Sequence, residues 1–250
     1  MSDRALTWSF GGGTQSVAIA VLVAQGKLPK PECTVIADTG REASETWEYL
    51  DEHVGPLLAT VGIEVEIAPH DLATVDLYSE NGDLLMPMFT GNGKLPTFCS
   101  NEWKKRVIYR YLRQRGYGPD NPVTMWLGIS VDEIHRAKPS GTAWVENDWP
   151  LLMHVPSRRD ECKRIVTDAG LPPPPRSSCW MCPHRNNVQW RRLRDEFPDD
   201  WAEAIKLEQL VRSNDKVVYL HHSAVPLAEA DLNDDQRDMF DACDSGFCFV

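Results

Sequence analysis

Short apolar runs of strand length alternate with longer segments of helical length in the first half of the chain. The apolar runs predict strands at residues 6–10, 33–37, 63–68 and 124–129, and the longer segments predict helices at residues 14–25 and 42–60. Strands that alternate with helices favour a parallel sheet with right-handed crossovers. The sequence therefore predicts an α/β fold, doubly wound and Rossmann-like, with a mostly parallel sheet.

The second half of the chain has a different pattern. Residues 71–97 are rich in Gly, Asn and Pro and predict a long loop over the sheet. Helices are predicted at residues 183–197, 199–213 and 233–242, with a short extended segment at 215–227. We therefore expect a main domain over residues 1–150, and a cysteine-bearing insert with a helical C-terminal part over residues 151–250 that packs on the same domain.

Charge and composition narrow the classes of partner. The net charge of -11 argues against non-specific attachment to nucleic acid through overall charge. Residues 102–118 nevertheless form a basic amphipathic segment, which is either a solvated helix face with Val107, Ile108 and Leu112 turned inward or an anion-binding surface. The N-terminus lacks a secretory pattern and no apolar run is long enough for a membrane helix, so we expect a cytoplasmic protein without a membrane partner.

Three glycines stand between the first predicted strand and the first predicted helix, in "SFGGGTQS". Glycine allows a tight turn and a close approach, and the amides at the helix N-terminus supply positive potential, so the turn is suited to phosphate. The other interpretation is tight packing without a ligand. The candidate phosphate-binding residues are Ser9, Gly11, Gly12, Gly13, Thr14, Gln15 and Ser16.

Polar residues also follow two other predicted strands. The carboxyl ends of parallel strands meet at one edge of an open sheet, where ligands bind, so these residues should face the same crevice as the glycine turn. Lys104 of the basic segment is a further candidate for binding the same anion. The candidates after the two strands are Asp38, Thr39, Gly40, Gly128, Asp132 and Arg136.

The chain has seven cysteines, an odd number that favours metal binding or redox chemistry over a disulfide scaffold. Cys179 and Cys182 form a Cys-x-x-Cys pair whose thiolates can converge on one metal. With Cys99 and Cys162 they could hold a 4Fe-4S cluster or a structural zinc ion; reduced or disulfide-forming cysteines are the third interpretation. Cys33 lies in an apolar strand and is expected to be a packing residue.

The motifs "SFGGGTQS", "DTGREASETW" and "GISVDEIHR", in this order, resemble the phosphoadenylylsulfate (PAPS) reductase family. That family lies within the adenine nucleotide alpha-hydrolase, or PP-loop ATP pyrophosphatase, superfamily, and the resemblance covers residues 6–185. It implies that the glycine turn binds the phosphates of an adenine nucleotide, that the strand bearing Val35 and Ile36 runs beside the adenosine, and that Arg136 holds the charged end of the substrate. Glu45 and Thr46 match a Glu-Thr pair of the family, or serve in helix packing.

As a function, the resemblance implies reduction of PAPS or APS by thiol chemistry, with a thioredoxin-like protein as a reductant. A thiolate attacks the sulfonyl sulfur and a second thiol releases sulfite. The candidate catalytic residues are Cys243 and Cys248 in the C-terminal tail, together with Arg136. Iron-sulfur reductases of the family carry a Cys-Cys pair besides the Cys-x-x-Cys pair, and here Cys99 and Cys162 would have to replace it.

Two other functions stay open at this point. Gln15 replaces the Asp of the ATP-using branch and is closer to the reductases, whereas the extra glycine is closer to the pyrophosphatases. The chain could therefore be an ATP pyrophosphatase that adenylates an acceptor such as a nucleic-acid base and requires magnesium. Only under this alternative is nucleic acid a partner. The third hypothesis is a non-catalytic module that senses nucleotide or redox state.

Overall fold

A sheet of five parallel strands lies at the centre of the computed structural model, which describes residues 4–72, 76–214 and 217–233. The sheet has the order β3-β2-β1-β6-β7, and a two-stranded antiparallel hairpin, β4-β5, lies apart from it. This confirms the predicted α/β fold with a parallel sheet. The strands are β1 (Ala5–Ser9), β2 (Cys33–Ala37), β3 (Val65–Ala68), β4 (Phe89–Thr90), β5 (Gly93–Lys94), β6 (Val123–Leu127) and β7 (Val145–Asp148).

Helices cover both faces of the sheet, as in a doubly wound fold. Buried residues of α1, α3, α5 and α6 pack on one face around Trp8 and Trp126, and α4 packs on the other face through Val107, Ile108 and Leu112. The described helices are α1 (Thr14–Ala24), α2 (Ser44–Tyr49), α3 (Gly55–Ala59), α4 (Arg106–Gln114), α5 (Pro150–Met153), α6 (Arg159–Asp168), α7 (Asn187–Glu196) and α8 (Pro198–Arg212). Among the residues described, every helix is too short or too polar to serve as a membrane span.

The helix predicted over residues 42–60 forms as one helical stretch with a wide turn in its middle. A π-helical turn, Leu50–Val54, joins α2 to α3, and the Gly55 N–H bonds to the Leu50 carbonyl. Pro56 has no N–H to continue the α-helical ladder, which explains a change of winding here. The predicted helices at 183–197 and 199–213 correspond to α7 and α8. The helix predicted at 233–242 lies, beyond its first residue, outside the described residues.

A second hydrophobic core lies away from the sheet. It joins the segment before the basic helix to α7, α8 and the C-terminal segment, with Met86, Met88, Trp103 and Trp190 almost fully buried. Residues 71–97, predicted as a long loop, therefore contain a packed segment, because their apolar side chains enter this core. Residues on both sides of position 150 contribute to it, and the predicted division into 1–150 and 151–250 stays a prediction.

His221 is buried in the region where the C-terminal segment meets α7. Its Nε2 lies 2.8 Å from Asn187 Oδ1 and its Nδ1 lies 2.6 Å from Ser223 Oγ, so a neutral ring that donates from Nε2 fits both contacts. Burial, and then the neighbouring His222, lower the pKa of His221 to about 4. The ring is therefore a satisfied, neutral histidine at physiological pH.

Acid is expected to destabilise the protein partly through His221. An unfolded histidine binds a proton near pH 6.5, whereas the folded one does so near pH 4, so stability is lost as pH falls between these values. From pH 7 to pH 5 the wild type should lose about 2 kcal/mol more unfolding free energy than His221→Gln. Urea unfolding at the two pH values measures this difference, and equal losses in the two proteins would contradict it.

Candidate functional site

The glycine turn lies at the carboxyl end of β1, with α1 beginning at Thr14. Gly12 has a φ of +73°, in the region that favours glycine. The Gly11 N–H donates to Ser16 Oγ at 3.0 Å, and the Ser177 hydroxyl donates to the Gly11 carbonyl. The turn is thus held from within by α1 and from outside by the segment that leads to Cys179.

A cavity of about 190 Å³ opens beside this turn. It lies at the edge of the sheet where β1 and β6 end, as expected for ligands of open parallel sheets. The predicted nucleotide-binding residues that line it are Ser9, Gly11, Gly13, Thr14, Gln15, Ser16, Lys104, Gly128 and Arg136. The structure thus brings the glycine turn, the end of β6 and the start of the basic helix to one cavity.

Five of the predicted residues are not part of this lining. Gly12 packs towards Thr46 and Ser177. Asp38 and Gly40 are bonded to each other, since the Asp38 carboxylate accepts the Gly40 N–H, and Asp38 also lies 3.3 Å from His70. The remaining two are Thr39, whose hydroxyl lies 3.6 Å from Cys179 Sγ, and Asp132, which accepts the Arg159 N–H at 3.0 Å. Their role in nucleotide binding stays a prediction.

The basic segment divides its side chains between the cavity and solvent. It begins with a π-helical turn, Ser100–Lys105, and continues as α4. Lys104 and Lys105 line the cavity, whereas Arg106, Arg110 and Arg113 are exposed. The predicted inward residues Val107, Ile108 and Leu112 are buried. The inward residues are as predicted for a solvated helix face, and anion binding by Lys104 and Lys105 stays a prediction.

Two of the cavity's cations are held by buried carboxylates. Lys104 Nζ lies 2.9 Å from Glu42 Oε2, and Arg136 lies 3.1 Å from Glu133 Oε2. Glu133 also accepts from Gln15 Nε2 at 3.0 Å, which ties the end of β6 to the first turn of α1. Burial raises the pKa of Glu133, and the positive charge of Arg136 opposes this shift. The carboxylates of Glu42 and Glu133 thus hold the charged groups of Lys104 and Arg136 in fixed positions at the cavity.

Sequence reasoning missed several residues of the cavity. Arg159 and Arg176 add positive charge, and Ser177 and Ser178 come from the segment before Cys179. Glu133, between the predicted candidates Asp132 and Arg136, was also not singled out. The only signal for Ser177 and Ser178 was their position beside the Cys-x-x-Cys pair, which does not reveal that this segment returns to the glycine turn.

Three of the four predicted metal ligands are neighbours. Burial, and then the charges of Cys179 and Cys182, raise the pKa of Cys99 to about 12, while nearby Lys104 opposes the shift. Burial, and then Glu42, raise the pKa of Cys179 to about 12. These thiols are thus protonated at neutral pH in the absence of a metal, and they lie beside a lysine that also lines the cavity.

Cys162 lies in a different place. It is fully buried on α6 in the core that α6 shares with α1, whereas Cys99 and Cys179 pack against the second core. The structure therefore does not bring Cys162 to the other three, contrary to the expectation from the sequence, because α6 turns it towards α1. Among the described residues, no group of three or more His, Cys, Asp or Glu side chains is arranged to hold a metal ion. The 4Fe-4S cluster or zinc ion stays a prediction.

The remaining cysteines divide into one that the structure describes and two that it does not. Cys33 is buried in β2, and burial, followed by the charge of Glu66, raises its pKa to about 12, in keeping with the predicted packing role. Cys243 and Cys248, the predicted nucleophiles, lie outside the described residues.

Comparisons with known proteins give distant similarities. No family model matches the chain. An uncharacterized 37.8 kDa protein in the gpa 5' region of Escherichia phage 186 is 22% identical over 249 residues, covering 81% of this chain and 74% of that protein. The solved structure of the U34-tRNA thiolase NcsA from Methanococcus maripaludis, with its [4Fe-4S] cluster, aligns with a TM-score of 0.43 and 14% identity, over 84% of this chain and 72% of that one.

Proposed function

We propose that this protein binds an adenine nucleotide in the cavity, with its phosphate groups on the glycine turn. The observation that carries the proposal is that the turn and the basic side chains Lys104, Lys105, Arg136 and Arg159 line one cavity at the carboxyl edge of a parallel sheet. Main-chain amides and fixed cations are the groups that bind polyphosphate. Two of the motifs that resemble the PP-loop superfamily border this cavity, which supports membership of that superfamily.

We infer that the nucleotide is ATP and that the protein is an adenylating enzyme. In this reaction a nucleophilic oxygen, nitrogen or sulfur of an acceptor attacks the α-phosphorus and forms a new bond to it. The bond between the α-phosphorus and the bridging oxygen breaks, its electron pair leaves with pyrophosphate, and the acceptor's proton passes to solvent. Magnesium, which accompanies ATP phosphates, would offset part of their charge. The cavity's cations would orient the pyrophosphate as it leaves.

The three consecutive glycines of the turn, and the basic segment that lines the cavity through Lys104 and Lys105, favour this choice over PAPS reduction. Reduction would use Cys243 or Cys248 as the attacking thiolate. It stays the second candidate because three cysteine thiols lie together beside Lys104, a cavity residue. A thioredoxin-like reductant belongs to that candidate, and a nucleic-acid acceptor to the first.

A parallel assay with two substrates separates the candidates. The protein is incubated with MgATP, with and without bulk RNA and DNA, or with PAPS and a dithiol, while pyrophosphate and sulfite are measured. Adenylation predicts pyrophosphate release that persists when Cys243 and Cys248 are both changed to serine. Sulfite release that disappears in this double variant would establish the second candidate. Failure of both ATP and PAPS to bind would overturn the nucleotide site itself.

A substitution of Lys105 tests nucleotide binding with little disturbance of the fold. Its side chain lines the cavity and stands over the Tyr109 ring, with 5.6 Å between the ammonium nitrogen and the ring centroid. Lys105→Met keeps the aliphatic stem and removes the charge. A hydrogen bond from a charged donor contributes about 1.5 kcal/mol or more, so we expect ATP to bind about tenfold more weakly, as measured by calorimetry.

Lys163→Met is the matched control. Lys163 is exposed on α6, pairs with Asp160 on the same helix and does not line the cavity. The Lys163→Met variant removes the same charge from the chain. It should leave ATP affinity within about twofold, which is the scale of exposed ion pairs. Equal weakening in both variants would show that overall charge, and not this cavity, governs binding.

A further inference from the structure

The two carboxylate oxygens of Glu133 have unequal surroundings. Oε2 receives three donors: Gln15 Nε2 at 3.0 Å, Arg136 at 3.1 Å and the Ser130 hydroxyl at 3.4 Å. Oε1 is buried and finds no hydrogen-bond partner among the described residues. The residue is only 2% exposed, so its carboxylate faces the protein and the cavity that Glu133 lines, and not bulk solvent.

An acceptor left in this state costs free energy, which is why buried polar atoms nearly always have a partner. Glu133 lines the same cavity as the glycine turn. Its other oxygen is held in place by donors from α1 and from its own segment, so the side chain cannot turn away to find a partner without losing them. A ligand in the cavity is the natural source of the missing donor.

The required donor limits which part of an adenine nucleotide can reach Oε1. Ionised phosphate oxygens accept hydrogen bonds and would be repelled by a carboxylate. The donors on the molecule are the ribose hydroxyls and the 6-amino group of adenine. Gln15 is the second residue of α1, directly after the glycine turn and Thr14, and it donates to Glu133, so the carboxylate lies close to that turn. The ribose is joined to the α-phosphate through one methylene, whereas the amino group lies at the far end of the base.

We propose that Glu133 recognises the ribose of the bound nucleotide, accepting at Oε1 a hydrogen bond from its 2′ or 3′ hydroxyl. The proposal rests on the nucleotide function proposed above. Carboxylates recognise ribose hydroxyls in other open α/β sheets, and the chemistry is the same here. Arg136 and Gln15 act as positioning residues, since they hold the carboxylate through Oε2.

The test combines altered ligands with one altered residue. Wild type is titrated with ATP, 2′-deoxyATP, 3′-deoxyATP and ITP, and the series is repeated with Glu133→Gln. Because Gln15 and Arg136 donate at the Oε2 position, the new amide must place its oxygen there and its NH2 at the Oε1 position, where it cannot accept. We expect wild type to bind one deoxy analogue about tenfold more weakly than ATP. In Glu133→Gln the charged acceptor is lost and only a neutral NH2 faces the hydroxyl, so the difference between ATP and that analogue should be much smaller.

The control is Glu146→Gln, which makes the same change of charge at an exposed residue of β7 that pairs with Arg4. It should keep the wild-type preference. Equal binding of ATP and both deoxy analogues by wild type would overturn the proposal while leaving the nucleotide site intact, and a loss confined to ITP would reassign the contact to adenine. If Glu133→Gln does not fold, the wild-type series still decides. If wild type binds no ATP, the nucleotide function fails as well.

Discussion

Replacing Gly12 with alanine is expected to lower the free energy of unfolding by about 3 kcal/mol. Two costs add up at this position. The backbone has a φ of +73°, which costs a residue with a Cβ about 1 kcal/mol. A Cβ here would also stand 2.8 Å from Thr46 Cγ2 and 3.2 Å from Ser177 Oγ. Thr46 is almost fully buried and cannot move aside, so overpacking adds about 2 kcal/mol.

Alanine variants at two other glycines separate the cost of the positive φ from the cost of the close contacts. Gly26 has a φ of +71°, and no atom lies within 4 Å of the position that a Cβ would take there, so Gly26→Ala should lose only about 1 kcal/mol. At Gly13 the nearest atom to a Cβ would be Ser177 Cβ at 3.6 Å, an ordinary contact, and the φ is negative. Urea unfolding of the three variants measures each cost. Equal losses at Gly12 and Gly26 would mean that the contacts with Thr46 and Ser177 do not constrain the turn.

These contacts also connect stability to the proposed site. Ser177 donates to the Gly11 carbonyl, and Thr46 comes from α2, so two separate segments define the path of the glycine turn. An amide that is to bind phosphate must point in one direction before the ligand arrives, since ordering it afterwards would weaken binding. We therefore expect the affinity of Gly12→Ala for ATP to fall together with its stability.

Much of the fold could be predicted because its central elements have strong signals. Strand β2 is apolar apart from Thr34 and is buried throughout, which is typical of an internal parallel strand. Strand β7, Val145–Asp148, was missed because it is an edge strand of four residues in which only Val145 is buried. Helix α6 was missed because its exposed face is highly charged and only Cys162 and Val166 are buried. Such elements form because of tertiary packing, which the local pattern of hydrophobic and polar residues does not show.

The candidate site was predictable in part for the same reason. The glycine turn and Arg136 follow strands, and strand ends in a parallel sheet meet at one edge. Ser177 is more than 150 residues away from the turn that it contacts, and no periodicity connects the two. Cys162 was grouped with the Cys-x-x-Cys pair by residue type alone, and the packing of α6 on α1 separates it from them.

The cavity also shows why net charge is a poor guide to a local site. The chain carries a net charge of -11, yet basic side chains gather around the glycine turn. Two of the acids near them, Glu42 and Glu133, serve to hold Lys104 and Arg136 in place. Rigidly held cations bind an anion without the cost of ordering long side chains at the time of binding. A negative protein can thus present a positive site.

Replacing Arg185 with methionine is expected to destabilise the protein by about 3 kcal/mol. Arg185 is buried: its guanidinium lies 3.7 Å from Glu45 Oε1, donates to the Cys179 carbonyl at 3.3 Å and stands over the Trp190 ring. It thereby connects α2 to the Cys-x-x-Cys loop. Methionine would leave the Glu45 carboxylate buried without its main internal cation, and an uncompensated buried charge is costly.

The pH dependence of this loss identifies its cause. Burial raises the pKa of Glu45, and the charges of Arg185 and then Arg192 oppose the shift. Without Arg185 the pKa should rise further, so the folded variant binds a proton that the unfolded chain releases. Such a proton stabilises the folded state at low pH, and this contribution is lost as pH rises. The deficit of Arg185→Met relative to wild type should therefore be larger at pH 8 than at pH 5.

Arg192→Met is the matched control, because Arg192 also faces Glu45, at 3.2 Å, but its side chain is 48% exposed. An exposed pair contributes about 1 kcal/mol or less, so this variant should lose little. Changing Glu45 to glutamine in the Arg185→Met background removes the buried charge and should restore part of the lost stability. Losses that simply add in this double variant, or a deficit that does not change with pH, would show that Arg185 acts through packing on Trp190 and not through Glu45.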